Sequence, residues 1–184
     1  MTPLWSLPER AVFSGTSYTL HTDYRDILEI ICYLQDPELT EFVRWEVALA
    51  LFYEGGVAPA HRQEALDYLA WFIRAGQDES AAGARLLDWE QDAPAIIADV
   101  NRVAGQEIRA LKKLHWWTFL SWFHAIGEGQ LSSIVGIRDK LRRGRKLEAW
   151  EKDFYRENKH RVDLKPRLSR EEIAARDRLN AMLN

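Results

Sequence analysis

Apolar residues recur at three- and four-residue steps along most of this chain, a pattern that predicts a mainly α-helical protein. The densest run is 114–126, which holds three of the eight tryptophans and two of the seven phenylalanines. Its apolar positions leave almost no polar stripe, and a helix that is apolar nearly all round is a buried one. Thirteen residues are too few to cross a bilayer, which needs about twenty. The run is therefore predicted to be the central helix of a soluble helical core.

The other helices are predicted from the same periodicity and from capping residues. Ser, Thr and Asp favour helix starts, proline favours the first turn, and glycine favours the position just past the end. These signals place helices from Asp23 to Leu34, Pro37 to Gly55, Pro59 to Gly76, Asp92 to Gly105, over 131–137, from Leu147 to Pro166, and from Ser169 to Leu183. The stretch 77–83 is polar and small, and we expect an exposed loop there.

The first twenty residues follow a different pattern. Arg10–Phe13 and Ser17–Leu20 read as two short strands around Ser14-Gly15-Thr16, which is typical of a β-hairpin. A hairpin alone is only marginally stable, so it must lie on the helices. The fold class predicted is mainly α, with this hairpin and a basic C-terminal helical arm. We expect a helical domain over 1–141 and a charged helical extension over 142–184.

Charge is distributed unevenly along the chain, although its net value is only −3. Residues 1–108 hold 7 Lys and Arg against 18 Asp and Glu, whereas residues 109–184 hold 18 against 10. An acidic and a basic half indicate a charged partner or head-to-tail self-association into a homo-oligomer. The alternative is a dipolar surface that only aids solubility.

Candidate catalytic and metal-binding residues are few. His115 and His124 lie nine residues apart, which puts them on opposite faces of one helix, where they cannot share a metal. Asp88, Glu90 and Asp92 cluster, but acids at a helix start are favoured by capping alone. A hydrolase built on His124 or on these acids would need a deep pocket, and we expect none. The prediction is a protein that is not an enzyme and has no metal or cofactor.

The single cysteine, Cys32, excludes an internal disulfide. It lies among apolar residues, where we expect it to be inert. No stretch near the N-terminus combines a basic start, an apolar run and a cleavage site, so we expect an intracellular protein without a membrane segment.

A narrow apolar stripe beside a basic run makes the C-terminal arm the best candidate for a binding surface. Six cations fall within 138–146, and the apolar stripe that follows is only three residues wide. A helix with one narrow stripe can keep part of its face available to a partner. The predicted partner-binding residues are Leu147, Trp150, Phe154, Arg138, Arg142, Arg143 and Arg145. The alternative function is a small helical nucleic-acid-binding regulator that uses the run 138–146. The net acidic charge and the lack of a recognition-helix signature make nucleic acid the less favoured partner.

Five short stretches, in this order, resemble the tail assembly chaperones of long-tailed phages and prophages of Gram-positive bacteria. They span roughly residues 10–160 and comprise Thr22–Arg25, Asp88–Ala93, Leu114–Leu120, Ile137-Arg138 and Trp150–Tyr155.

The resemblance implies a non-enzymatic protein that binds the long helical tape measure protein and keeps it soluble until tail-tube subunits polymerise around it. The tail tube protein is a further candidate partner. Such a chaperone acts in the host cytoplasm and is absent from the mature virion. The resemblance brings no catalytic residues and no agreed set of binding residues to this chain.

Overall fold

The structure is a computed structural model that describes residues 5–77 and 83–183, with side chains described as far as 179. It is mainly helical with one two-stranded hairpin, as predicted. The described residues form two compact units, one from Met1–Phe72 with Pro166–Asn184 and one from Ile73–Lys165. The predicted division into 1–141 and 142–184 stays a prediction. Most of the predicted loop 77–83 lies outside the described residues.

The hairpin of the first unit consists of β1 (Arg10–Phe13) and β2 (Thr16–Thr19), which pair antiparallel. Ser14 and Gly15 both have positive φ, 47° and 83°, and tight hairpin turns of this kind need such angles. Backbone hydrogen bonds to 52–54 continue the sheet beyond β2, so the hairpin is held by the end of a helix, as the marginal stability of an isolated hairpin requires.

Three helices carry the core of this unit: α1 (Tyr24–Leu34), α2 (Glu41–Phe52) and α3 (Arg62–Ile73), the last preceded by a 3₁₀ turn at Pro59–His61. The Asp23 side chain accepts from the Arg25 amide at 3.0 Å, which confirms the predicted cap of α1. The largest buried side chains of these helices are Ile27, Ile30, Phe52, Leu69 and Phe72.

The predicted start of α2 at Pro37 is wrong. The Asp36 carboxylate accepts from the Glu38 amide at 2.8 Å, which closes a local turn instead of a helix. The helix begins four residues later, where the Thr40 hydroxyl accepts from Val43 N at 3.4 Å. Asp and Thr both cap helices, and the sequence alone did not distinguish which one ends the turn and which one starts the helix.

The last helix, α8 (Arg170–Leu183), belongs to the first unit. Its predicted capping box is confirmed: Ser169 N donates to the Glu172 carboxylate at 2.8 Å, and Glu172 N donates to Ser169 Oγ at 3.2 Å. The Glu172 pKa is lowered, chiefly by the backbone hydrogen bond from Ser169. The Arg170 amide also donates to Glu38, which joins the start of α8 to the turn before α2.

The described residues of the second unit form four α-helices, α4 (Ala93–Ala104), α5 (Trp116–His124), α6 (Gln130–Arg142) and α7 (Ala149–Val162), with a 3₁₀ turn at Ile108–Ala110 before α5. The predicted end of α4 is confirmed, because Gly105 adopts a left-handed conformation with φ 67°. In α7 the backbone departs from helical angles at Asn158, whose side chain donates to the carbonyl of Phe154 at 3.0 Å.

The helix in the tryptophan-rich run is shorter and less buried than predicted. It begins at Trp116 because the His115 ring accepts from the Trp117 amide and caps it. Trp116, Phe119 and Leu120 are buried, whereas Trp117 and Trp122 are partly exposed. Indole rings are large and seldom fully buried. The prediction of a helix buried all round is therefore wrong.

Two other boundaries also differ from the predictions. Helix α6 runs to Arg142, five residues beyond the predicted 137, and α7 ends at Val162, before Pro166. None of the helices in the described residues is long and apolar enough to span a membrane.

Candidate functional site

The C-terminal binding surface predicted from the sequence is built where α6 meets α7. The side of α6 that faces the core carries Leu131, Ile134, Ile137 and Arg138, all of them buried. This three- and four-residue spacing is that of a helix face turned towards the protein interior. Arg138 therefore lies inside the unit, although it stands first in the basic run.

All five N–H groups of the Arg138 guanidinium have an acceptor. Two bonds reach the buried carboxylate of Asp92, at 2.6 and 2.9 Å, and the other three reach the carbonyls of Leu86, Arg161 and Val162, at 2.9, 2.7 and 2.6 Å. The last carbonyls of a helix have no partner within it. Arg138 thus caps the C-terminus of α7 and ties it to the start of α4.

Gln91 holds the same helix end from a second direction. Its side chain donates to the carbonyls of Arg161 and Asp163 and accepts from the Lys165 amide at 2.9 Å. The segment is fixed in turn by Asp88, whose carboxylate accepts from the amides of Glu90 and Gln91 at 3.0 and 2.8 Å. Asp88 and Asp92 therefore have structural roles, in line with the interpretation of the acidic cluster 88–92 as helix-capping residues.

The N-terminus of α7 is fixed to α6 by one buried carboxylate. Glu151 accepts from Lys140 Nζ at 2.7 and 2.8 Å and from the Glu148 amide at 2.7 Å. The hydrogen bond from Lys140, followed by that from the backbone, holds the pKa of Glu151 below its ordinary value of 4.5. Both ends of α7 are thus held by polar contacts from other segments.

Beside these contacts, four apolar side chains and four cations keep some exposure to solvent. Trp150 is 56 % exposed and Leu141 39 % exposed, while Leu147 and Phe154 are half-buried. Trp150 and Leu141 are the chain neighbours of the ion-paired Glu151 and Lys140. We call this the α6–α7 surface; it comprises Leu141, Leu147, Trp150, Phe154, Arg142, Arg143, Arg145 and Lys146.

The basic run carries less free charge than its sequence indicates. Arg142 and Arg143 both pair with Asp139, at 2.9 and 2.8 Å. The hydrogen bond from Arg142 is the main cause of the lowered pKa of Asp139. With Arg138 and Lys140 also paired, only Arg145 and Lys146 of the six cations make no ion pair within the part of the chain that the structure describes.

Six of the seven predicted partner-binding residues have some exposure to solvent. Arg142, Arg143, Arg145 and Trp150 are exposed, and Leu147 and Phe154 are partly so. Arg138 is the exception, because its guanidinium is enclosed and all its donors are used. Its proposed role changes from contact with a partner to positioning of α7.

The other candidate residues do not converge. His115 is buried as the cap of α5, while His124 is exposed at the far end of that helix. Cys32 is half-buried. Within 5–77 and 83–179, no group of three or more His, Cys, Asp or Glu side chains could hold a metal ion.

Sequence reasoning missed the Arg138–Asp92 pair and the Lys140–Glu151 pair. A signal for the first was present, since Arg138 lies four residues after Ile134 and seven after Leu131, on the apolar face. The second had no such signal, because it depends on how the turn 143–148 folds back.

A family model described as "Bacteriophage Gp15 protein" matches residues 6–164. Neither the curated proteins nor the solved structures gave a significant match.

Proposed function

The chain belongs to the bacteriophage Gp15 protein family, and on that premise we propose that it is a tail assembly chaperone of a long-tailed phage or prophage of a Gram-positive bacterium. It binds the tape measure protein and keeps it soluble while tail-tube subunits polymerise. It works without catalysis, in the host cytoplasm, and is left out of the finished virion. The tail tube protein is its second candidate partner.

The α6–α7 surface is the observation that supports this proposal. Its exposed apolar side chains can contact the apolar face of an amphipathic helix, the form expected of a long helical client. Trp150 supplies a large exposed ring, the type of side chain that contributes most at interfaces. The cations along the border, Arg145 and Lys146 among them, favour a client helix with acidic residues beside its apolar face.

The nucleic-acid alternative gains no support from this surface. Phosphate binding requires cations that are available to replace counterions, and four of the six in the run are paired within the chain. We therefore retain one proposed function.

The test is co-expression of the chain with the tape measure protein encoded by the same phage, followed by measurement of how much tape measure protein stays in solution. Trp150→Ala should lower the soluble amount severalfold and leave the melting temperature nearly unchanged, because the ring is mostly exposed. Leu179→Ala is the matched control, since Leu179 is an equally exposed helical residue on α8. Equal amounts of soluble client with both variants would refute the role of this surface, and no gain over the tape measure protein alone would refute the proposed function.

A further inference from the structure

The first unit carries a surface that complements the α6–α7 surface. On α2, Phe42 is 66 % and Val43 is 37 % exposed. Glu41 lies in the first turn of the same helix, and Glu46 lies one turn beyond Phe42. We call these four residues, with the acids of the preceding turn, the α2 surface. Like its counterpart it consists of exposed apolar side chains among charged ones, but here acids outnumber cations.

The net charges of the two regions are opposite. Residues 36–46 hold four acids and one arginine, and Arg62, which pairs with Glu46, brings their net charge to −2, whereas residues 139–152 hold six cations and three acids, a net charge of +3. The same sign difference extends to the whole units: the first has 8 Lys and Arg against 14 Asp and Glu, and the second has 17 against 14. Opposite potentials of this kind steer association and fix its orientation.

The contacts around Phe42 leave its ring exposed. The Arg62 guanidinium lies 5.5 Å from the centroid of the Phe42 ring and is ion-paired with Glu46. The ring is still 66 % exposed, and aromatic side chains are enriched at protein interfaces. Phe42 is therefore available for contact with an apolar side chain such as Trp150.

We propose that the chain associates head to tail with a second copy of itself, the α2 surface of one copy on the α6–α7 surface of the next. The contact is heterologous, since each copy contributes a different surface, and it leaves one surface of each kind open at the ends. Further copies add in the same way unless the rotation between neighbours closes a ring. This inference needs no client and is tested with the chain alone.

Two variants, each blocked at one surface, provide the test. Phe42→Lys places a cation on the α2 surface, and Trp150→Glu places an anion on the α6–α7 surface. In sedimentation velocity over a concentration series, the parent should exceed the chain mass of 21.4 kDa, and each variant alone should remain at that mass. An equimolar mixture should give a 1:1 dimer and nothing larger, because only one complementary pair of surfaces remains.

Val12→Lys is the matched control, since Val12 is as exposed as Phe42 and lies in the same unit; it should associate like the parent. Raising the salt from about 0.1 to 1 M shortens the screening length from about 10 to about 3 Å and should weaken the parent's association at least tenfold. Circular dichroism verifies folding, and Glu41→Lys replaces Phe42→Lys if that variant does not fold.

A parent that stays monomeric at low salt, blocked variants that associate like the parent, or a mixture that stays monomeric would each overturn the proposal. Failure of the proposed function is distinguishable from these results, because Phe42→Lys leaves the α6–α7 surface intact for the tape measure protein.

Discussion

Replacing Arg138 by methionine tests the structural basis of the α6–α7 surface. The side chain is 5 % exposed and forms five hydrogen bonds, two to Asp92 and three to carbonyls. Methionine removes them all, which leaves a buried carboxylate without its counter-charge and the Val162 carbonyl without its donor, while Gln91 still donates to the Arg161 carbonyl. Removing one partner of a buried pair costs about 3–5 kcal/mol, and we expect a loss in that range in the free energy of unfolding.

The loss divides into two parts that a double variant separates. In Arg138→Met with Asp92→Leu neither charge of the pair is left, so the penalty for the unpaired Asp92 carboxylate disappears, although the Asp88 amide loses its acceptor. The carbonyls of Leu86, Arg161 and Val162 remain without Arg138, and we expect a residual loss of about 1–3 kcal/mol. The double variant should therefore be more stable than the single one, with a coupling of at least about 1 kcal/mol.

Urea unfolding followed by circular dichroism measures these free energies, and amide hydrogen exchange over 149–162 reports on α7 itself. Arg156→Met is the matched control, because Arg156 is on the same helix but pairs with Asp153 in solvent. Its loss should stay within about 0.5 kcal/mol. A loss below about 1 kcal/mol for Arg138→Met, or α7 exchange unchanged from the parent, would refute the claim that this arginine positions the helix.

Three further predictions concern the same unit. A Cβ at Gly129 would lie 2.5 Å from Asp99 Oδ1, so Gly129→Ala should lower the free energy of unfolding by about 1–3 kcal/mol. Gly136→Ala, with nothing within 4 Å of its new Cβ, should raise it by about 0.5–1 kcal/mol. Equal effects of the two variants would contradict the close approach of Gly129 to Asp99. Because the pKa of Glu151 is lowered, its contribution to stability is present above the ordinary pKa of 4.5 and is lost as the pH falls through the pKa of the folded state. Glu151→Gln should therefore be less stable than the parent at pH 7. A difference in stability that did not shrink towards pH 3 would refute the pairing with Lys140. Fluorescence anisotropy of labelled duplex DNA should show little binding at about 0.15 M salt, and tight binding with a steep salt dependence would restore the nucleic-acid alternative.

The local features of the fold could be predicted from the sequence, because they depend on neighbouring residues. The hairpin turn, the Asp23 cap, the Ser169 capping box and the glycine at the end of α4 each follow from one or two side chains and their backbone preferences. Asp36 misled the prediction because Asp caps turns as well as helices, and only the Thr40 hydroxyl decides where α2 begins.

The candidate site could be predicted only in part, since many of its contacts join residues that are far apart in the sequence. The exposure of Trp150 follows from the narrow apolar stripe of α7, and that feature can be predicted from the sequence. Arg138 was assigned to the surface because it adjoins other cations, whereas its environment is set by Asp92, 46 residues earlier. A run of like charges in sequence is a run in space only if every member lies on the same face of its helix.

The most direct test of the account is amide hydrogen exchange of the Phe42→Lys variant, whose α6–α7 surface is intact and is not covered by a second copy, with and without the tape measure protein of the same phage. The account predicts slower exchange over the C-terminal turn of α6 and the first turns of α7, about Leu141 to Phe154, as the client covers this surface. Protection that fell only on other segments, or no protection at client concentrations where the tape measure protein stays soluble, would contradict it.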